Sequence, residues 1–189
     1  MPMVTVTLME GYDEEARARL GKAMTDAVRS VVPAAPEAVI VVLQEIPAAN
    51  YMRGGERRTP APPLPDPAKI VRAFLDAMQE RDLDRACAFL APDFAMTFPG
   101  DARMTRLEDL VAFSASRYRS VRKTYERFDV APGGERAIVY CFGTLSGEWP
   151  DGTPFSDVRF IDRFEIEKGA IVRQQVWNDI ADTKGRAGS

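Results

Sequence analysis

The sequence predicts an α+β chain of two domains. A β-α-β unit occupies residues 1–58, a spacer 59–65, a second domain 66–182, and a flexible tail 183–189. In the second domain helices come first and a curved antiparallel sheet then wraps around them. Three observations carry this reading. A period-two stretch, a helical stretch and a β-branched stretch follow one another within the first 46 residues. Prolines at 60, 62, 63, 65 and 67 mark one break in composition and favour an extended, semi-rigid spacer. Beyond them, helical patterns give way to strands separated by Pro132-Gly133-Gly134, Pro150-Asp151-Gly152 and Lys168-Gly169, the order of an α+β domain.

In the first strand Val4, Val6 and Leu8 share one face, and Met3, Thr5, Thr7 and Met9 the other. Pro2 stands at the strand's start, where its missing N–H costs no ladder bond. Asp13 caps a helix with Glu14 and Glu15 in the favourable first turn, and Ala16, Leu20, Ala23, Met24, Ala27, Val28 and Val31 recur at helical spacing. Pro33 and Pro36 end it. Val39 to Ile46 reads as a second strand, and Asn50-Tyr51-Met52-Arg53-Gly54-Gly55 as a glycine-ended turn. Because Pro2 is small, Met1 is expected to be removed, leaving a secondary amine aimed by the strand behind it. Apolar surroundings (Met3, Ile40 and Tyr51) disfavour the cation and make a base suited to neutral pH. The other reading of Met1-Pro2 is an ordinary chain start.

Composition narrows the chemistry. Of 189 residues, 46% are hydrophobic and 28% charged, a globular mix, and the net charge of −3 gives no general attraction to nucleic acid. No apolar run approaches a membrane span and no secretory leader precedes the first strand. Cys87 and Cys141 are few and far apart, as in a reduced, cytoplasmic protein. The chain has no histidine, which excludes a Ser-His-Asp triad, a Cys-His pair and a histidine metal site. Acid–base work falls to carboxylates, tyrosine, lysine, cysteine or a terminal amine. The expected partners are a small-molecule substrate and further copies of the chain in a homo-oligomer, with no cofactor, metal, nucleic acid or membrane. An isolated strand-helix-strand unit of about 60 residues is marginal, and its sheet has open edges.

The second domain opens with Asp66 as cap and Pro67 in the first turn, followed by an apolar stripe of Ile70, Val71, Phe74, Leu75 and Met78. Arg81-Asp82 breaks that helix, and Leu83, Ala86, Cys87 and Leu90 form a short second one. Phe94, Met96 and Phe98 alternate as a strand, and Thr105 with Glu108 has the spacing of a capping box for a third helix. Strands then follow from Tyr125 to Val130, Ala137 to Trp149, Phe155 to Ile166 and Ala170 to Asn178. Arg117, Arg119, Arg122, Lys123 and Arg127 surround Tyr118 and Tyr125; acidic neighbours make this a solvated face or subunit contact.

Two resemblances follow from these residues. Pro2, Glu10-Gly11, the strand-helix-strand order and Asn50-Tyr51-Met52-Arg53-Gly54-Gly55 resemble the 4-oxalocrotonate tautomerase family over residues 2–58. That likeness implies Pro2 as the base moving a proton between carbons of an enol acid. It also implies substrate-binding positions at Tyr12 and Ile40, where the founding enzyme has arginines, and at Tyr51, with Arg53 a new cation nearby. Without those arginines a dicarboxylate is a poor match. The helices, Phe160-Ile161-Asp162-Arg163-Phe164, Gly169-Ala170-Ile171-Val172 and Trp177-Asn178-Asp179 resemble the nuclear transport factor 2-like superfamily over 66–182, nearest to its polyketide cyclase-like and ketosteroid isomerase-like members. This implies a conical cavity. Ketosteroid isomerases carry an aspartate and a tyrosine where this chain has Phe98 and Phe74, while their enolate-donating acid is matched by Asp162, a position more often filled by a structural residue tied to backbone, Arg159 or Arg163. Tyr118 and Trp149 are candidates for the cavity lining or for core. Trp177 and Asp179 lie near the mouth, with Asp179 a base, a ligand contact or a cap. The function implied is a keto–enol tautomerase acting on a small or polycyclic enol, keto acid or unsaturated ketone. The alternatives are cyclase or isomerase chemistry confined to the second cavity, or a non-catalytic ligand-binding or assembly protein.

Overall fold

The structure, a computed structural model, describes residues 1–187 and forms two compact units, Met1–Pro63 and Leu64 onward. The first contains β1 (Met3–Met9), α1 (Glu14–Arg29), β2 (Ile40–Ile46) and a small hairpin of β3 (Met52–Arg53) and β4 (Glu56–Arg57). β1 and β2 pair in parallel, Met3 opposite Ile40 through Met9 opposite Ile46, with α1 as the crossover. Asp13 caps α1, its carboxylate accepting from Ala16 N at 2.8 Å. The Glu10 carboxylate accepts from Ala48 N at 3.2 Å and Glu10 N donates to Ile46 O at 3.0 Å, so the Glu-Gly pair stitches the end of β1 to the turn after β2. Among the described residues of this unit none is fully buried, and Met3 and Val42 are 64% and 42% exposed.

The second unit holds α2 (Pro67–Glu80), α3 (Leu83–Cys87), β5 (Leu90–Phe98), β6 (Ala102–Met104), α4 (Leu107–Ala115), β7 (Ser120–Gly133), β8 (Arg136–Glu148), β9 (Pro154–Glu167), β10 (Ala170–Asn178) and α5 (Ile180–Ala187). Asp66 caps α2 through Ala68 N, and Arg81 ends it in the left-handed region at φ 63°. The strand order is β6-β5-β10-β9-β8-β7. Every neighbouring pair is antiparallel except β5 with β10, so the sheet is mixed rather than wholly antiparallel. β10 reaches β5 from the far side of a long excursion through the other strands, and arrives in the same direction. The core lies between this sheet and α2 and α4, with Phe74 and Phe164 edge-on at 6.0 Å and Val71, Met96, Leu107, Val139 and Ile171 packed around them.

Several local expectations change. The Thr105–Glu108 capping box does not form; Arg106 is the N-cap residue without a side-chain bond, and its guanidinium meets Glu108 instead. β5 begins at Leu90 rather than Phe94, and β7 at Ser120 rather than Tyr125. Helix α5 covers residues expected to be a loose tail; the last two of that tail, Gly188 and Ser189, lie outside the described residues.

Two glycines on β8 let the sheet bend. A Cβ on Gly143 would stand 2.0 Å from Thr124 O and 3.0 Å from Phe160 Cε1, and one on Gly147 2.0 Å from Ser120 O. Register shifts beside them, at Tyr125/Arg127 in β7 and Leu145/Gly147 in β8, are the bulges that curve a sheet. Gly143→Ala therefore forces the β7 backbone away and is expected to cost at least about 1–3 kcal/mol, as overpacking does. Thermal denaturation should show a fall in Tm of several degrees; an unchanged Tm would show that β7 and β8 do not approach this closely.

Candidate functional site

In the first unit Pro2 is half-buried immediately before β1, and its carbonyl accepts from Ile40 N at 3.0 Å. That bond continues the parallel pairing past Met3, the residue opposite Ile40, and holds the Pro2 carbonyl against the start of β2. Tyr12 is half-buried between Gly11, at φ 123°, and the α1 cap. Tyr51 is 40% exposed at the head of the β3–β4 hairpin, and Arg53 is exposed on β3 opposite Glu56. Pro2 and Ile40 are thus brought together by backbone pairing. The side chains of Tyr51 and Arg53 remain open to solvent on the hairpin.

In the second unit a cavity of about 120 Å³ opens between α2, α4 and the concave face of the sheet. Its apolar wall includes Phe74, Leu75, Phe98 and Val121, and its polar wall Tyr118, Lys123, Tyr125 and Gln174. Phe74 and Phe98 stand on the wall at the two positions where the resemblance to ketosteroid isomerases called for a tyrosine and an aspartate. Tyr118 lines the cavity, its hydroxyl donating to Ser114 Oγ at 3.1 Å.

Behind the polar wall lies Asp162, fully buried on the inner face of β9. Its partner is neither Arg159 nor Arg163 but Lys123, whose Nζ donates to Asp162 Oδ2, with Gln174 Nε2 donating to the same oxygen at 3.5 Å. Lys123 Nζ also sits 4.3 Å from the centre of the Phe160 ring. Burial raises the Asp162 carboxyl above its ordinary value, with Lys123 and then Gln174 opposing. Burial likewise pushes the neighbouring Cys141 thiol up to about 12 and the Tyr125 phenol well above its usual range, so both stay protonated at neutral pH. Three buried polar atoms around this cluster have no hydrogen-bond partner: Tyr125 OH, Asp162 Oδ1 and Gln174 Oε1.

The remaining sequence candidates fall elsewhere. Trp149 is 4% exposed and stacks on Phe155 with ring centres 4.5 Å apart, in the core rather than on the cavity wall. Trp177 is 51% exposed, opposite Ile161 on the outer face of the sheet. Asp179 precedes α5; its carbonyl accepts from Thr183 N at 3.0 Å and its carboxylate pairs with Arg159 at 2.7 Å, so it acts as a helix start. Nothing in the sequence alone singles out Lys123, Tyr125 and Gln174 as site residues. The alternation of Val121, Lys123 and Tyr125 becomes a usable signal once β7 is extended back to Ser120, which puts the three on the inner face. A larger depression of about 310 Å³ is lined by residues such as Thr97, Arg103, Glu165 and Arg173, and its charged residues are paired with neighbours: Arg103 with Asp101, Arg173 with Asp93, and Glu165 with Arg136 and Arg163. Among the described residues no group of Cys, Asp and Glu is placed to hold a metal ion, and no helix is long and apolar enough to cross a membrane.

Comparison with known proteins matches each unit separately. The profile of the Tautomerase enzyme family matches residues 2–59, and that of the SnoaL-like domain residues 71–174. A probable tautomerase of Ralstonia nicotianae is 38% identical over 69 residues, 36% of this chain and 99% of the relative. The 2-hydroxymuconate tautomerase of Bacillus subtilis is 33% identical over 57 residues, 30% of this chain and 92% of the relative. Among solved structures, an NTF2-like protein of unknown function from Burkholderia pseudomallei superposes with a TM-score of 0.51 at 24% identity, over 61% of this chain and 92% of that one, a likeness of fold. The chain therefore belongs to the tautomerase family of isomerases through residues 2–59, and to the SnoaL-like family through residues 71–174.

Proposed function

We propose that the chain is a keto–enol tautomerase whose general base is the secondary amine of Pro2, freed by removal of Met1, and whose substrate is a small enol or keto acid. The observation carrying this reading is the bond from Ile40 N to Pro2 O, which holds the proline at the head of a parallel strand pair in a tautomerase-family unit. An amine so held can take a proton from an enol oxygen or an acidic carbon and return it to another carbon of the same molecule. Tyr12 and Ile40 bring no positive charge beside it, and Arg53 is one of the two cations of the adjoining hairpin, with Arg57. A substrate with one carboxylate suits this better than the dicarboxylate in the name of the B. subtilis relative.

The reading includes a homo-oligomer joined through the first unit and through the outer face of the second unit's sheet. Parallel strands are ordinarily covered on both faces, whereas here α1 is the sole helical cover for two strands. Met3 and Val42 are left 64% and 42% exposed on an element too small to form its own core. Apposed copies would cover these side chains and enclose the substrate around Pro2. Multi-angle light scattering at micromolar concentration is expected to give a multiple of the 21.0 kDa chain mass; a monomer would remove this part of the proposal.

The base is tested by adding one residue before Pro2. This turns the amine into an amide and alters no side chain. With an aryl enol pyruvate as probe, the native chain should ketonise it at a rate that rises with pH through one ionisation, as the amine gives up its proton. The extended chain should lose roughly 10²–10⁴-fold, the usual contribution of a general base. Intact mass establishes beforehand whether Met1 is absent from the native chain. Equal rates for the two chains would show that Pro2 is not the base.

A further inference from the structure

We propose that Lys123 is a covalent nucleophile whose amine condenses with an aldehyde or ketone to give a lysine-bound iminium. Asp162 takes the proton that frees the amine, and the Tyr125 hydroxyl supplies one to the carbonyl oxygen.

A lysine amine attacks a carbonyl after it has given up a proton. A working nucleophile therefore needs a base within hydrogen-bond reach and a third group to orient that base. The second unit has this arrangement. Lys123 Nζ donates to Asp162 Oδ2, and Gln174 Nε2, reaching in from β10, donates to the same oxygen at 3.5 Å. The Lys123 side chain is 24% exposed and that of Asp162 0%, so of this pair the amine reaches the cavity while the base is shut away from water. Burial makes that carboxyl readier to accept the proton. The Phe160 ring covers one side of Nζ, with its centre 4.3 Å away. Lys22 provides a contrast within the same chain. It also pairs with a carboxylate, that of Asp26, but those side chains are 77% and 51% exposed. The residue type points the same way. Arginine makes the stronger ion pair, and the outer face of the sheet uses it, as in Arg136 with Glu165 and Arg163 with Glu165. Lysine can lose its proton when desolvated and become a nucleophile, and arginine cannot.

The condensation balances within these groups. Lys123 passes one proton to Asp162. Its lone pair then forms a C–N bond to the carbonyl carbon, and the C=O π pair moves to oxygen. That oxygen takes the proton of Tyr125, whose hydroxyl is on the cavity wall, has no partner and stays protonated at neutral pH. The nitrogen returns a proton to Tyr125. Asp162 protonates the new hydroxyl, the C–O bond breaks, water leaves, and the nitrogen pair forms the C=N bond. One iminium has then replaced one ammonium beside the Asp162 carboxylate, so the buried charge stays compensated. An iminium draws electrons from the adjoining carbon, and bonds to that carbon are the ones this site would open. The step uses no atom of Pro2, so it stands or falls apart from the tautomerase reading.

The test treats the full chain with benzaldehyde and sodium cyanoborohydride, which reduces an iminium and leaves a benzyl group on the amine. Peptide mapping by mass scores Lys123, Lys22 and the amino terminus separately. Lys123 should take the group at least about 10²-fold faster than Lys22, the low end of what a positioned acid–base group contributes. A purely structural Lys123 would be labelled more slowly than Lys22, because it is the less exposed of the two. Tyr125→Phe deletes a buried hydroxyl with no partner, so Tm should hold or rise while labelling of Lys123 slows about tenfold, the worth of one hydrogen bond. Lys123→Arg keeps a cation beside Asp162; Tm should hold, and trapping should fall to that of the exposed amines. The proposal is overturned if Lys123 in the native chain is labelled no faster than Lys22. It is equally overturned if Tyr125→Phe, with Tm retained, is labelled at the native rate.

Discussion

A fully buried carboxylate governs the second unit. Asp162 lies on the inner face of β9 among Phe160, Phe164 and Ile166, and an uncompensated charge there would cost several kcal/mol. The fold answers with Lys123 from β7 and Gln174 from β10, the strand on each side of the β8–β9 pair. To reach Asp162, Lys123 must point inward, which sets the side-chain alternation of β7 and with it the inward placement of Val121 and Tyr125. Gln174 must turn its NH2 to the same oxygen, which sets where its carbonyl points. One charge thus orients the polar wall of the cavity. Replacing a buried pair by apolar residues of similar volume is often neutral for stability, so stability alone is a weak reason for this pair.

The cavity exists because the sheet curves away from its helices. Gly143 and Gly147 allow β7 and β8 to approach where any side chain would strike a carbonyl, and the register shifts beside them add bend. Phe160, the cross-strand partner of Gly143, fills part of the space and lies against the ammonium of Lys123. The same local geometry therefore supplies curvature, apolar lining and a low-dielectric seat for the charge.

Much of this was legible in the sequence, for identifiable reasons. The Asp13 and Asp66 caps, the strand-helix-strand order of the first unit and the run of late strands rest on local chemistry and period, which act within a few residues. The resemblance points to Asp162 but not to its partner, because the pairing spans the gap from β7 to β9 and a strand read as starting at Tyr125 leaves Lys123 out. Beginning β7 at Tyr125 left Lys123 in a basic surface run with Arg117, Arg119 and Arg122. One register choice hid the central cation, since a strand's alternation decides which residues face the core. Trp149, Trp177 and Asp179 were placed by residue type and closeness to strand ends. Type alone does not separate a core tryptophan from a surface one, or a helix start from a site carboxylate. The parallel β5–β10 pairing was likewise invisible, because nothing local to either strand records its neighbour.

The lack of histidine gives the two units a common problem with different solutions. Proton transfer near neutral pH needs a group that changes charge there, and no side chain of this chain does so unperturbed. The terminal secondary amine proposed for Pro2 would meet the need through its position on the backbone. It demands no buried core, and the first unit has none of its own among the described residues. A side chain meets it only if burial moves its acidity. That requires a core dense enough to exclude water, and the second unit has one: burial raises the Asp162 carboxyl above its ordinary range, while it carries the Cys141 thiol and the Tyr125 phenol further from neutrality. The thin unit is thus suited to the backbone amine, and the well-packed unit to side-chain groups held protonated or paired.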